Sequence, residues 1–489
     1  MVVKWPFADS IVPLLCWNYS MDQAKQTRAR WGDILTREYA AKIATLMLAV
    51  WLHASNSMLT ATTMPSAVND IGGLNLLHWT FSLYLIGSIV AGACIGLLVI
   101  KSDIRTMMIR AALVYAVGCA IVALAPSMPV VLVGRVLQGL GGGGLMGLVY
   151  VAQDKYFPNY FVPKIVAGLS LTWMIAAFCG PMIGGAFATW GIWRMAYWAF
   201  AGQALLLIIA ISFLLPKEQK PKATKNTDQK SERIPIIRLA ILASAIGLVS
   251  LAGAEYDSVM SPLLVSSGAI ALGMFVYRDR TALSSRILPK DITNLNHPIG
   301  NGVLTIFLLC LCIMSFLIYG PVILIKLYGL SPFYAGLIIM AETLAWSSSA
   351  IIFSSTAEHK EPILIRTGSA LVVIGLISLA FALSGQLLWV IIITSMISNL
   401  GFGMMWGFII KRIIGHASAN EKTRTSSLLP MTLQSGFAFG AALSGVIANS
   451  FGMSETMSDD GIRQVAFWLF AGFVPIALMG NIFAWRFVR

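Results

Sequence analysis

Fourteen apolar stretches, each about twenty residues long and separated by short polar breaks, constrain this chain more than any other feature. They lie near 43–65, 79–100, 107–126, 129–152, 162–188, 195–215, 236–254, 259–277, 300–325, 332–354, 363–384, 387–410, 428–450 and 465–485. Each is long enough as a helix to cross about 30 Å of hydrocarbon. Composition agrees. Of 489 residues, 57% are apolar and only 11% are charged, against roughly 25% charged in a soluble domain. Such a chain has too little charge to cover a water-soluble surface and too much apolar content for a disordered one. The seventh and eighth runs are divided only by Glu255–Tyr256–Asp257.

The placement of basic residues orients the spans. With the N-terminus in the cytoplasm and the sides alternating, 30 of the 34 Lys and Arg residues fall on the inner side. Arg194, Lys326 and Arg463 fall outside, and Arg135 falls within a span. A missing or extra helix would scramble this alternation, so fourteen spans with both termini inside is the expectation. The net charge of +13 is therefore a topology signal and not a nucleic-acid footprint.

The most polar internal segment, PKEQKPKATKNTDQKSERI at 216–234, reads as a flexible linker. The expected organisation is an N-terminal extension at 1–42, a six-helix bundle at 43–215, a cytoplasmic linker at 216–235, two inserted helices at 236–277 and a second six-helix bundle at 300–485. In the extension, Trp5, Phe7, Trp17 and Trp31 among mixed charges suit the inner lipid surface. Ser10–Trp17 is too short and too interrupted for a signal-peptide core.

Glycine spacing suggests a repeat. The fifth run carries CGPMIGGAFATWG, with Gly180, Gly184 and Gly185, and the thirteenth carries QSGFAFGAALSG, with Gly436, Gly440 and Gly445. Small residues four apart let helix backbones approach closely in lipid. The fourth run holds GLGGGGLMG and the twelfth GFGMMWG. The motifs follow the same order in each half, on the fourth and fifth runs and again on the twelfth and thirteenth, which fits two related six-helix units with a binding path between them.

Several segments now point to a family. GRVLQGLGGG, through Arg135, Gln138 and Gly139, resembles the R-x-x-Q-G motif of the major facilitator superfamily. GPMIGG, with Gly180, Pro181, Gly184 and Gly185, followed by WGIWRMAYW, resembles the G-P-x-x-G-G motif of its antiporters. LSPFYAGLIIMAETL resembles the S-P-x-x-A-G-L entry of the fourteen-helix drug:proton antiporter branch. The resemblance spans roughly 45–485 and implies an all-α polytopic membrane protein with the major facilitator fold: two six-helix bundles plus two inserted central helices. It implies a multidrug-efflux antiporter, working as a monomer in a bacterial inner membrane, with a small-molecule substrate, the bilayer around it and a proton gradient as its energy source. Two positions depart from the pattern. The usual acidic residue of the first helix is Asn56 here. The usual G-x-L-x-D-R-x-G-R-K loop reads GLLVIKSDIR, with Ile100 and Asp103 at altered positions, while Lys101 and Arg105 keep the basic character of this gating loop.

Ionisable groups at membrane depth are costly and mark function. Arg135, six residues into the fourth run, reads as a cavity-lining group for proton or substrate movement, as the resemblance implies. Glu342 sits ten residues into the tenth run, about 15 Å deep, where a carboxyl can exchange a proton as its access to water changes. Trp346 and Ser349 follow on the same face and are expected to present an aromatic plane and a hydroxyl to a bound cation. His53 lies near the same depth in the first run, with Asn56 one turn along. It is a third proton-coupling candidate. Gln138, Trp173, Tyr319 and Gln434 join Asn56 as substrate-binding candidates on a mixed aromatic and polar cavity wall.

Enzyme signals are absent. There is no Walker loop, the glycines 141–144 lie inside a span, and His and Cys spacing offers no metal site. The six cysteines, Cys16, Cys94, Cys119, Cys179, Cys310 and Cys312, form no C-x-x-C pair and read as packing residues. The expected activity is secondary active, proton-coupled export of amphipathic or cationic organic compounds by alternating access, without a cofactor. Other cargoes within the same mechanism are a siderophore, a metabolite or a lipid-like molecule. A non-transporting membrane receptor or assembly partner with a transporter fold is the alternative of a different class.

Overall fold

In the computed structural model, residues 36, 39–98, 103–158, 161–216, 235–253, 257–282, 286–353, 356–384, 388–418, 421–453 and 457–488 are described. The N-terminal segment to 35, the linker at 217–234 and Lys101 lie outside these residues. The helices of the first half are α1 (Ala40–Ile71), α2 (Trp79–Leu98), α3 (Ile104–Leu124), α4 (Met128–Tyr156), α5 (Val162–Thr189) and α6 (Trp193–Leu214). Two helices follow, α7 (Ile236–Ala252) and α8 (Met260–Arg280). The second half holds α9 (Pro298–Tyr328), α10 (Pro332–Phe353), α11 (Glu361–Ser384), α12 (Leu388–His416), α13 (Lys422–Ser450), α14 (Asp459–Ala471) and α15 (Val474–Phe487). No strand occurs among the described residues.

Among the described residues thirteen spans are long and apolar enough to cross a membrane, with α14 and α15 together forming the last of them. The shorter α7 has 17 residues, about 25 Å of helix, and completes fourteen columns by pairing with α8. Only helices can cross lipid in this way, because each satisfies its own backbone hydrogen bonds. The first helix runs further than its apolar run, because Pro65 lies inside it and the polar Asn69 and Asp70 still belong to its last turns.

The two halves repeat one packing plan. In the first, α2 packs on α4, α3 on α4 and α6, and α1 on α4, α5 and α6. In the second, α10 packs on α12, α11 on α12, α14 and α15, and α9 on α12, α13 and α15. The halves meet through two matching seams, α5 on α10 and α2 on α13. The inserted α7 lies along α13 and α2, and α8 covers α7.

Glycine makes the tight pairs possible. A Cβ on Gly184 would lie 2.8 Å from the Leu59 carbonyl oxygen of α1, and one on Gly440 would lie 2.1 Å from the Leu311 carbonyl oxygen of α9. Gly180 and Gly436 take the same places one turn earlier, against Ser55 and Phe307. Glycine is also required at Gly73, where the turn between α1 and α2 has φ +88° and packs on Met128.

Polar clasps finish the ends. Arg194 at the start of α6 ion-pairs Asp70 at the end of α1, and its other nitrogen donates to the Ala125 carbonyl at 3.0 Å. At the opposite end, Asp279 of α8 ion-pairs Arg238 of α7 and accepts the backbone N–H groups of Ile287 and Leu288. Asp257 caps the start of α8, and the Met260 and Val259 N–H groups hold its carboxyl below the usual range. The five described cysteines are free.

Replacing Gly440 with Val inserts atoms where backbone already stands, at a cost of about 1–3 kcal/mol or more. Gly440→Val is expected to lower the melting temperature of the detergent-solubilised protein by several degrees. Gly202→Ala, where nothing lies within 4 Å of the new Cβ, leaves it unchanged. Equal melting of both variants would contradict the packing assigned to this pair.

Candidate functional site

Arg135 is wholly buried between α1, α2 and α4. Its Nε donates to the Thr80 carbonyl at 2.8 Å. Its Nη1 donates to Asn56 Oδ1 and to Gln138 Oε1, each at 2.5 Å. The guanidinium lies over the Tyr84 ring, 4.5 Å from its centroid. Nη2 has no protein partner. Among the described residues no carboxylate pairs with this cation; amide oxygens, one carbonyl and a π face replace it. Charge-assisted bonds of this kind contribute about 1.5–3 kcal/mol each, which offsets part of the cost of a cation at this depth.

Asn56 is oriented by both of its ends. Its Oδ1 accepts from Arg135, and its Nδ2 donates to the Tyr115 hydroxyl at 2.9 Å. Tyr115 in turn spends its own proton on the Leu52 carbonyl at 3.0 Å. Gln138 is fixed the same way, its Nε2 donating to Cys119 Sγ at 3.2 Å. His53 joins this web through Tyr84. The Tyr84 hydroxyl donates to the His53 carbonyl at 3.0 Å, which leaves its oxygen to accept from His53 Nδ1 at 2.9 Å. Trp173 of α5 stands edge-on to His53, with centroids 5.9 Å apart, and is 38% exposed. The structure thus brings Arg135, Gln138, Asn56, His53 and Trp173 into one neighbourhood.

Glu342 belongs to a second cluster. It is buried on α10, and the Ser395 hydroxyl of α12 faces its carboxyl. The stripe that continues from it is turned towards α12. Trp346 packs edge-on to Phe402 at 4.5 Å and lies 6.3 Å from Trp406. The Ser349 hydroxyl donates back to the Trp346 carbonyl at 2.9 Å, and Gly403 leaves room for both residues. Tyr319 is enclosed in α9 with no partner for its hydroxyl, apart from both clusters.

The repeat relates the two clusters. Gly143 of α4 packs on Ser88 of α2, and Gly403 of α12 packs on Trp346 of α10. One turn back from Ser88 and Trp346 stand Tyr84 and Glu342; two turns back from Gly143 and Gly403 stand Arg135 and Ser395. The Arg135–Tyr84 contact of the first half therefore occupies the place of the Ser395–Glu342 contact in the second.

The seams between the halves carry polar contacts of their own. Ser88 donates to Gln434 at 3.2 Å, and Ser82 approaches the Ala438 carbonyl at 3.5 Å. His78 is buried against Gly445, with Nε2 2.9 Å from the Ser250 carbonyl of α7. Asn449 bonds the Asn75 carbonyl at 3.1 Å and the Gly253 carbonyl. On the other seam, Thr189 accepts from the Phe333 N–H at 3.0 Å, Gly185 abuts Phe333, and Gly336 abuts Pro181. Most of these contacts lie towards the end where α1, α5 and α13 finish.

The remaining motif residues have plain roles. Gly139 lets α4 approach the Tyr84 carbonyl. Asp103 caps α3, accepting from the Thr106 N–H at 3.2 Å, and Arg105 donates to the Ser212 carbonyl of α6. Lys101 lies outside the described residues. Tyr84, Tyr115, His78 and Ser395 carry site contacts that the sequence did not single out, since each looks like an ordinary packing residue in an apolar run. Among the described residues no group of metal-ligating side chains occurs.

Asn56→Ala removes one partner from Arg135 and one from Tyr115. It is expected to lower stability by about 3 kcal/mol, read as a falling melting temperature in detergent. A variant that melts with the parent would show that the guanidinium does not depend on this amide.

Comparison with known proteins agrees with this architecture. Over 481 residues, the chain is 25% identical to a probable multidrug-efflux transporter of Mycobacterium tuberculosis, covering 95% of this chain and 98% of that protein. It is 23% identical over 408 residues to the multidrug efflux pump SdrM of Staphylococcus aureus, covering 83% and 89%. The crystal structure of a D-xylose-proton symporter superposes with a TM-score of 0.66 at 15% identity, covering 92% of this chain and 98% of that one. The family description that matches is Major Facilitator Superfamily, over residues 46–429. A multi-pass membrane transporter and not an enzyme, the chain belongs to the Major Facilitator Superfamily.

Proposed function

We propose that this protein exports amphipathic organic cations in exchange for protons by alternating access. The observation that carries the reading is Glu342, a buried carboxyl ten residues into α10 with a serine hydroxyl and an aromatic cluster beside it. The names of the efflux relatives support the direction and the cargo class. Organic cations suit a carboxylate with an indole ring, Trp346, one turn along the same helix, through charge and cation–π attraction.

With the N-terminus in the cytoplasm of a bacterial inner membrane, as the basic residues favour, the seams that hold the halves together lie at the outer end. The arrangement is then open inward. In the proposed cycle Glu342 releases its proton inward and binds a cation. The halves at 43–215 and 300–485 rock about the site, with α7 and α8 between them in sequence. The seams α2–α13 and α5–α10 part, the cation leaves outward, and a proton returns to Glu342. Trp173, Trp346 and Gln434 are the side chains proposed to meet the substrate. Arg135, His53, Asn56 and Gln138 hold the polar interior of the first half. The working unit proposed is one chain in the bilayer, driven by the proton gradient without a cofactor.

The test is proton movement in proteoliposomes on adding ethidium, a permanent organic cation. The parent protein is expected to move protons, and Glu342→Gln to lose at least tenfold of that flux while melting as the parent does. Undiminished flux from Glu342→Gln would overturn the assignment.

A further inference from the structure

The two halves differ in what each can do with a proton. Among the acidic residues of the described segments, Glu342 alone lies deep within a helix. Asp70, Asp279 and Glu361 lie at helix ends, each paired with a basic residue: Arg194, Arg238, and Lys411 with Arg412. Asp103 and Asp257 cap helices.

The first half is built around groups of fixed charge. Arg135 is a permanent cation. At position 56 an amide serves two contacts: the side chain accepts from Arg135 and donates to Tyr115, whose own proton is given to Leu52. A carboxylate there would face the Tyr115 oxygen with nothing to donate. His53 uses Nδ1 on the Tyr84 hydroxyl, and the ring of the same tyrosine carries the Arg135 guanidinium. A charged His53 would thus add a second cation to a web that holds no carboxylate among the described residues. On α9, the offset set by Leu59 and Leu311 puts Thr305 and Leu308 in the places of His53 and Asn56, and neither titrates.

We infer that exchange takes one proton per substrate cation, so that the protein concentrates monovalent cations without regard to membrane potential and dications poorly. This inference rests on the proposed exchange at Glu342 and adds its stoichiometry and charge limit. One proton entering for one monovalent cation leaving moves no net charge. One proton entering for a dication leaving moves one positive charge outward, against an inside-negative potential.

Proteoliposomes containing the full chain decide it, with ethidium as the monovalent probe and propidium as the dication of the same ring system. Under a fixed pH gradient, the expected ratio is one proton per ethidium. A tenfold potassium gradient with valinomycin, poised to oppose outward cation movement, is expected to leave the limiting ethidium accumulation unchanged. The same gradient holds propidium about tenfold lower. A ratio of two, an ethidium accumulation that follows the potential, or propidium accumulating as ethidium does would overturn the inference and leave the exchange at Glu342 standing. Protons that move with neither dye would instead overturn the exchange itself.

Discussion

A charged group in hydrocarbon must find its partners within its own chain, and Arg135 shows how this protein meets that demand. Its guanidinium is held by Thr80 of α2, Asn56 of α1, Gln138 of α4 and the ring of Tyr84. Tyr115 and Cys119 of α3 extend the same web. One side chain therefore ties together α1, α2 and α4, and reaches α3 through Asn56 and Gln138. Close backbone contact supports the tie: Gly139 and Gly143 bring α4 onto α2, and Gly141 brings it onto α3. A half braced in this way suits movement as a rigid unit.

The second half uses the same scaffold with the opposite chemistry. Where the first half sets Arg135 over Tyr84, the second sets Ser395 against Glu342. The duplicated glycines keep the helix frames equivalent, on α1 with α5 and on α9 with α13. Side chains at equivalent points are then free to differ. The result is one half with a fixed cation and one half with a buried carboxyl, joined through seams of small residues and single hydrogen bonds such as Ser88–Gln434 and Phe333–Thr189. Seams of this kind hold one arrangement while leaving few bonds to break when the halves part. The inserted α7 adds to one seam through His78 and Asn449.

Much of this fold was legible in the sequence, because lipid imposes length, apolarity and charge sidedness directly on the chain. Element ends were less so. Pro65 and Asp70 resemble a helix stop, yet α1 continues through both, since Arg194 and Trp193 receive Asp70 at the far end. The last apolar run conceals the break between α14 and α15 at Gly472. At the site, Arg135 and Glu342 stood out as charges within apolar runs. The direction of the Glu342–Trp346–Ser349 stripe did not, because helical spacing shows which residues share a face and not which neighbour the face meets. Tyr84 and Tyr115 were hidden for a related reason: an aromatic residue in a membrane helix becomes a polar partner only once a buried donor or acceptor reaches its hydroxyl.

The central claim is that substrate and proton compete for one carboxyl. Proton release on binding tests it most directly, in weakly buffered detergent solution with purified protein and ethidium. The account predicts one proton released per ethidium bound by the parent chain and none by Glu342→Gln. Binding without proton release in the parent, or equal release from Glu342→Gln, would contradict it.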